Sequence, residues 1–221
     1  MDRLLKALRD RGLFRRNRFS LRLKVRACLL YLAGLSYRDI AYVCRVVGAS
    51  HVSVWRWVQR LEGVRLDVRP RSRRAVAMDE TKLKVMGCQL YVWAAIDVKT
   101  RELLAIRASW QRSVLDADLF LRQVLKTCVN KPLILVDRGP WYPQALRDHR
   151  LRWRHQTFGL RNPIERWFRT LKARTRRFYN NFQTRRGLFK VELFLRLFTL
   201  WYNWLKTHQT LGAPPSLKAQ K

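Results

Sequence analysis

Apolar and polar positions along the chain follow two different periods, and the change from one to the other divides it. Over 1–19 a basic amphipathic segment places Leu4, Leu5 and Leu8 on one helix face. Residues 21–33 carry Leu23, Ala27, Leu30 and Tyr31 at helical spacing, and Gly34 follows as a C-cap. Ser36, with Asp39 three residues on, predicts a capping-box start to a second helix with Ile40, Val43 and Cys44 as its apolar face. Gly48 breaks that helix, and Ser50 caps a third whose apolar positions are Val54, Trp55, Val58 and Leu61. Three short helices joined by Gly-containing turns, the last bearing His51, Ser53, Arg56, Gln59 and Arg60, describe a helix-turn-helix unit or a small helical bundle that only packs on the rest.

Residues 65–74 (RLDVRPRSRR) show no apolar period and read as a basic linker. Beyond it the period is that of strands. Val76–Val85, Leu90–Asp97 and Leu103–Ala108 are separated by short turns, which predicts an antiparallel meander of three. A helix with a broad apolar face is expected over 114–129. Leu133–Val136 is wholly apolar, as a central strand buried on both faces would be. A short helix at 143–149, a strand at 152–158, a long basic helix at 162–179 and an amphipathic helix at 188–206 complete the pattern. The fold class is therefore α/β, a sheet with helices on its faces preceded by an all-α unit. The expected division is 1–64 helical, 65–74 linker, 75–186 α/β core, and 187–221 a C-terminal helix and tail packed on that core.

Composition adds a partner. The 221 residues hold 47 Lys+Arg against 15 Asp+Glu, a net charge of +32, while hydrophobic residues make up 48%. That apolar share belongs to a globular protein and not to a disordered basic tail, and so large a positive charge calls for a polyanion, nucleic acid first. Residues 1–74 alone carry net +14, and an exposed Arg on the third helix would read bases or phosphates. Cys28, Cys44, Cys88 and Cys128 are scattered without metal-ligand or paired spacing, as for free thiols in a reducing compartment. No apolar run resembles a secretory signal, and Lys190, Glu192 and Arg196 interrupt the most apolar stretch. A cytosolic protein with no membrane association is expected. No Gly-rich phosphate loop supports a nucleotide cofactor. Arg176, Arg177, Arg185 and Arg186 have almost no acid to offset them and suit a phosphate-facing surface. Most aromatics of the second half, among them Trp141, Tyr142 and Trp167, are expected to pack in the core.

In so basic a chain each carboxylate has to be accounted for. Asp39 caps a helix, Asp97 and Glu102 flank a hairpin turn, Asp116 and Asp118 open a helix, and Glu192 pairs with a neighbouring base. Three resist such explanations. Asp79 lies within the first strand, with Glu80 its rival on the opposite sheet face. Asp137 ends the buried strand LILV, at the carboxyl edge where α/β sites form. Glu165 is the only acid between residues 151 and 190, a window of net charge +11, where a simple salt bridge to Arg is the alternative. Three converging carboxylates would suit a hard divalent cation.

These blocks resemble a known family. Met78-Asp79-Glu80-Thr81 with YVWAAIDVKTRELLA behind it, VDRGPWYPQAL around Asp137, and RNPIERWFRTLKARTRRFYNNF around Glu165 look like the three ordered catalytic blocks of insertion-sequence transposases, in the insertion-sequence-six-like group with its archaeal relatives. The resemblance covers roughly residues 20–190. It implies a ribonuclease-H-like, retroviral-integrase-like core with an Asp-Asp-Glu triad at Asp79, Asp137 and Glu165, holding two Mg²⁺ ions for which Mn²⁺ can substitute. It implies double-stranded DNA as partner, both terminal inverted repeats and target, and a homodimer or larger assembly on that DNA in the prokaryotic cytoplasm. The family's basic residue seven positions after the glutamate is matched by Lys172, which shares a helix face with Glu165 and Arg169. His51, Ser53, Arg56 and Arg60 fall in the part that matches its terminal-repeat-binding domain. Two features depart from the family: only 27 residues separate Asp137 from Glu165, fewer than in many members, and Arg138 stands where a small residue is common. A decayed copy or DNA-binding regulator without catalysis, and a related nuclease that cleaves without strand transfer, stand as the alternatives.

Overall fold

The structure, a computed structural model, describes residues 2–10, 12–14, 18–44, 48–61, 68–156, 159–176, 181–182 and 187–219. The N-terminal helices are α1 (Asp2–Asp10), α2 (Leu21–Ala33) and α3 (His51–Arg60). Ser20 and Ser50 cap α2 and α3 by accepting from the backbone N–H three residues on, each at 3.3 Å. Gly34 closes α2 in the left-handed conformation (φ +118°), with its N–H on the carbonyls of Leu30 and Tyr31.

The capping box at Ser36 and Asp39 forms in both directions, at 2.9 and 3.0 Å, but it opens only a short π-helical turn (Asp39–Val43). Only Ile40 and Ala41 of that turn are buried; Val43 and Cys44, expected on its apolar face, are exposed. In α3 the buried positions are Val54, Trp57 and Val58, and Trp55 points outward at 45% exposure. One residue is about 100° of helix, so Trp57 falls with Val54 and Val58 on the inward face and Trp55 does not.

The sheet has order β3-β2-β1-β4-β5, from β1 (Ala75–Val85), β2 (Cys88–Asp97), β3 (Leu103–Ser109), β4 (Leu133–Val136) and β5 (Trp153–His155). The first three form the expected antiparallel meander, and β4 lies parallel between β1 and β5. A two-residue strand outside the hydropathy pattern, β6 (Asn181–Phe182), runs parallel to the far end of β1. The helices are α4 (Val114–Leu125), α5 (Tyr142–Asp148), α6 (Asn162–Thr175), α7 (Gly187–Trp204) and the short α8 (Pro215–Lys218).

Strand alternation sorts the core into two layers. Val76, Met78, Trp93, Ile134 and Val136 pack against α4 and α5 through Phe120, Leu121 and Tyr142. Ala77, Leu83, Ala94 and Leu135 face α6 and α7 through Ile164, Trp167, Leu171 and Phe198. Helix α7 is buried on two sides: Leu193, Leu197 and Leu200 also complete the core of the N-terminal helices. Each such buried Leu or Phe contributes about 1.5–3 kcal/mol, so this shared helix is the main apolar tie between the two units. Arg174 of α6 adds a polar one by donating to the Ala33 carbonyl at the end of α2.

The segment expected as linker is, over its described part (68–74), fastened to the core. Arg71 bridges to Cys128, and Arg73 is buried with ion pairs to Asp97 (3.0 Å) and Glu102 (3.2 Å). Those two acids therefore neutralise a buried guanidinium as well as flanking the hairpin turn. Glu192 pairs with Arg196 as expected (3.7 Å), and the four cysteines are free. No described helix is long and apolar enough to cross a membrane.

Candidate active site

Asp79 and Asp137 come together because of strand parity. β1 and β4 run parallel with Ala77 opposite Leu135, both facing α6 and α7. Two residues further on, a full pleat repeat, Asp79 and Asp137 occupy adjacent strands on that same face. Asp137 lies just past the end of β4. Its Oδ1 accepts the Gly139 N–H (2.9 Å), and its carbonyl accepts from His155 Nδ1 on neighbouring β5 (2.9 Å). Gly139 is required for packing: a Cβ there would lie 2.7 Å from the Trp141 ring.

The site is crowded with carboxylates. Asp79 Oδ1 accepts the Glu80 N–H (3.0 Å) and Oδ2 meets Arg161 Nη2 (2.5 Å). Burial pushes the Asp79 carboxyl up to about 7, opposed by Arg161 and reinforced by the charges of Glu80 and Asp137. Glu80 points to the opposite face, where its Oε2 accepts from the Tyr142 hydroxyl (2.6 Å) and its Oε1 meets Arg112 (3.3 Å). Burial raises its carboxyl too, with Asp137 adding to the effect. The Arg112 guanidinium lies over the rings of Tyr91 (4.7 Å) and Trp141 (4.3 Å), which fixes the direction in which it holds Glu80. Burial, followed by Glu80, Asp79 and Asp137, holds the Tyr142 phenol well above its ordinary range, so that it stays a hydrogen-bond donor.

The third expected carboxylate, Glu165, lies on α6. It sits exposed in the first turn of α6, and the cation that meets Asp79 is Arg161, the residue preceding that helix. Among the described residues no three Asp, Glu, His or Cys side chains are grouped to hold a metal ion. Asp79 and Asp137 thus lie together on one sheet face, and Glu165 occupies an exposed position on the helix over that face. Helix α6 is seated by Ile164, Trp167 and Leu171, which leaves position 165 exposed. The donor set of Asp79 and Asp137 fits a hard divalent cation in its chemistry, since mutual repulsion of their charges is relieved by a cation between them. Glu165 fits only if it reaches inward from α6.

Arg169, Lys172 and Arg176 are exposed on α6 within about one quarter-turn of Glu165, whereas Arg177 lies outside the described residues. On α3, Arg56 and Arg60 are exposed beside Val52 and Trp55. His51 is hydrogen-bonded to the Tyr42 hydroxyl (2.7 Å), and Ser53 is engaged by the cap at Ser50. Residues to which the sequence gives no place in the site are Arg161, Arg112, Tyr142 and His155, and Glu80 stands out there only as a rival to Asp79. Nothing in the spacing separates Arg161 or Arg112 from the chain's other basic residues. A cavity of about 680 Å³ between β3, α4 and α7 is lined by neither aspartate.

Comparison with known proteins gives a consistent picture. A family model described as DDE domain matches residues 73–194. An uncharacterized protein of Methanocaldococcus jannaschii is 41% identical over 199 residues, spanning 90% of this chain and 93% of its own length. The transposase for the insertion sequence-like element IS431mec of Staphylococcus aureus is 29% identical over 112 residues, 48% of this chain and 50% of that one. Among solved structures, the HTLV-2 integrase catalytic core domain in complex with magnesium matches with a TM-score of 0.51 at 12% identity, over 68% of this chain and 97% of that chain. A simian T-cell lymphotropic virus intasome matches with a TM-score of 0.55 at 12% identity, over 88% of this chain and 74% of that chain. At those identities the likeness is one of fold, and the fold is the ribonuclease-H-like integrase core.

Proposed function

We propose a function from one premise: this chain belongs to the DDE-domain family of insertion-sequence transposases. On our reading it binds the ends of an insertion sequence and cleaves and joins DNA strands in a metal-dependent phosphoryl transfer. The observation that carries the reading is the placement of Asp79 and Asp137 side by side on one sheet face, beneath the helix that bears Glu165.

Asp79 and Asp137 would hold the ion, Mg²⁺ or Mn²⁺, with Glu165 as third ligand. When bound, such ions activate a water or a 3′-hydroxyl and stabilise the leaving oxygen at a phosphodiester. The chain's own residues prepare the site. The Gly139 N–H orients the Asp137 carboxylate, and His155 pins the backbone behind it. Tyr142 and Arg112 tie Glu80 to the far face, leaving Asp79 as the carboxylate of β1 that faces α6. Arg169, Lys172 and Arg176 would hold backbone phosphates along α6, with Arg177 next in the sequence as a further phosphate contact, while Arg56 and Arg60, with His51 and Ser53, present α3 to a terminal repeat. Residues 1–64 would then be the end-binding unit. The partner is double-stranded DNA, the working form a dimer or larger assembly, and the compartment the prokaryotic cytoplasm.

The test is strand cleavage and joining with Mg²⁺ on DNA carrying the element's own ends, wild type against Asp137→Asn. Loss of both reactions in the variant is expected; equal activity overturns the assignment. A second reading, DNA binding without phosphoryl transfer, is favoured by the Arg161–Asp79 ion pair and by the outward Glu165. A wild-type protein that binds the ends and neither cleaves nor joins them would establish that reading instead.

A further inference from the structure

A cavity of about 380 Å³ lies between α6, the end of α7 and the turn after it, within the usual size range of ligand pockets of about 300–1,000 Å³. Arg101 from the β2–β3 turn, Arg166 of α6, and Lys206 and His208 after α7 all line it, with Thr170 and Tyr202 between them. Among the described residues that line it, none is a carboxylate. Lys206 Nζ donates to the Thr170 hydroxyl (3.3 Å), and the His208 ring stands edge-on to Tyr202 with centroids 4.7 Å apart. His208 Nε2 is buried without a hydrogen-bond partner. A buried imidazole nitrogen left unpaired costs free energy, and with its proton on Nε2 the ring would donate to an arriving oxyanion.

The electrostatics point the same way. Burial lowers the Lys206 ammonium below its ordinary range, with Arg174 adding to the effect, and burial lowers Arg101, opposed by Tyr202 and Asp97 and reinforced by Arg166. Burial, then Lys206 and Arg101, pushes the His208 imidazole down to about 4. Arg101 also holds a positive φ of +63°, a conformation that disfavours a non-glycine residue. Cations crowded into a cavity with no acid among its walls are relieved by an anion. Arg supplies a planar fork for phosphate oxygens, Lys a point charge, and Thr170 a hydroxyl.

We propose that this cavity binds a phosphate group, and that in the working protein the phosphate belongs to the backbone of bound DNA. The second clause rests on the transposase reading above. Pro163, Arg166 and Thr170 form one side of α6, adjoining the side that carries Glu165, Arg169 and Lys172. A strand could therefore be gripped on both sides of the same helix. Arg101, Arg166, Lys206 and His208 come from three separate parts of the chain, so they act as an anchor distinct from the exposed basic row of α6.

Two measurements on the full chain test this. Inorganic phosphate is titrated into wild-type protein carrying isotope-labelled histidine, at ionic strength matched with chloride. The His208 ring signals, assigned with His208→Gln, should shift saturably and its titration should move upward; ring signals unmoved by phosphate overturn the proposal without reliance on a variant's folding. Duplex DNA binding is then measured against salt concentration in EDTA, which excludes catalysis, for wild type, Lys206→Gln and the exposed charge-matched control Lys126→Gln. Lys206→Gln should flatten the slope of log K against log salt by about 0.9, the value for one phosphate no longer neutralised, and the control should not. A shifted His208 with an unchanged slope overturns the DNA assignment and leaves free phosphate as the ligand. A protein that fails to cleave its ends yet shows the slope difference refutes the transposase reading and keeps the anchor. A protein that cleaves them with the slope unchanged does the reverse.

Discussion

Replacing Asp79 by Asn should change how the metal-free protein's stability depends on pH. In the fold the Asp79 carboxyl titrates near about 7, against 3.8 for the ordinary group, chiefly because it is buried. Between those values the folded chain keeps a proton that the unfolded chain has released. The free energy of unfolding therefore falls as pH rises through that window, and the loss is complete above about pH 7. At about 1.4 kcal/mol per pH unit the full effect is about 4 kcal/mol, little reduced by solvent because the side chain is only 13% exposed. The Glu80 carboxyl is raised beside it, so the proton is shared between interacting groups and 4 kcal/mol is the ceiling for Asp79 alone. Urea unfolding in EDTA at several values between pH 4.5 and 8.5 measures it. The stability of Asp79→Asn minus that of wild type should grow by several kcal/mol across the series, whatever constant offset Arg161 suffers from losing its partner. Mg²⁺ added at 100 times its dissociation constant should return about 2.7 kcal/mol to wild type at pH 8 and nothing to the variant. A difference that stays flat with pH would refute the electrostatic account of the site.

Three further outcomes are expected. Arg73→Met leaves Asp97 and Glu102 as buried carboxylates without their cation and should cost about 3–5 kcal/mol at pH 7 by urea unfolding; a loss below 1 kcal/mol would show the pair to be dispensable. Gly139→Ala drives a methyl into the Trp141 ring and should cost about 1–3 kcal/mol in thermal unfolding, together with a change in Trp fluorescence. Glu165→Gln, at an exposed position, should leave stability within about 0.5 kcal/mol of wild type while end cleavage falls by at least about 100-fold; cleavage at the wild-type rate would remove Glu165 from the site.

What the sequence determined by itself is local. Caps at Ser50 and Gly34, the meander of β1 to β3 and the buried strand β4 follow from periods of a few residues and from side chains that bond to their own backbone. Asp79 and Asp137 are legible for the same reason, because an acid inside or at the end of an apolar strand pattern stands out. Helix phase is less legible over short stretches. A single-residue error in phase is about 100°, enough to exchange Trp55 for Trp57. The structure alone decided which base each acid meets. With 47 Lys and Arg for 15 acids, spacing offers every carboxylate many partners, and only burial selects Arg161 for Asp79, Arg112 for Glu80, and Arg73 for Asp97 and Glu102. The outward position of Glu165 and the cavity that joins residues 101, 166, 206 and 208 are decided in the same way. Both depend on how α6 and α7 seat on the sheet, a matter of packing over distances that no local period encodes.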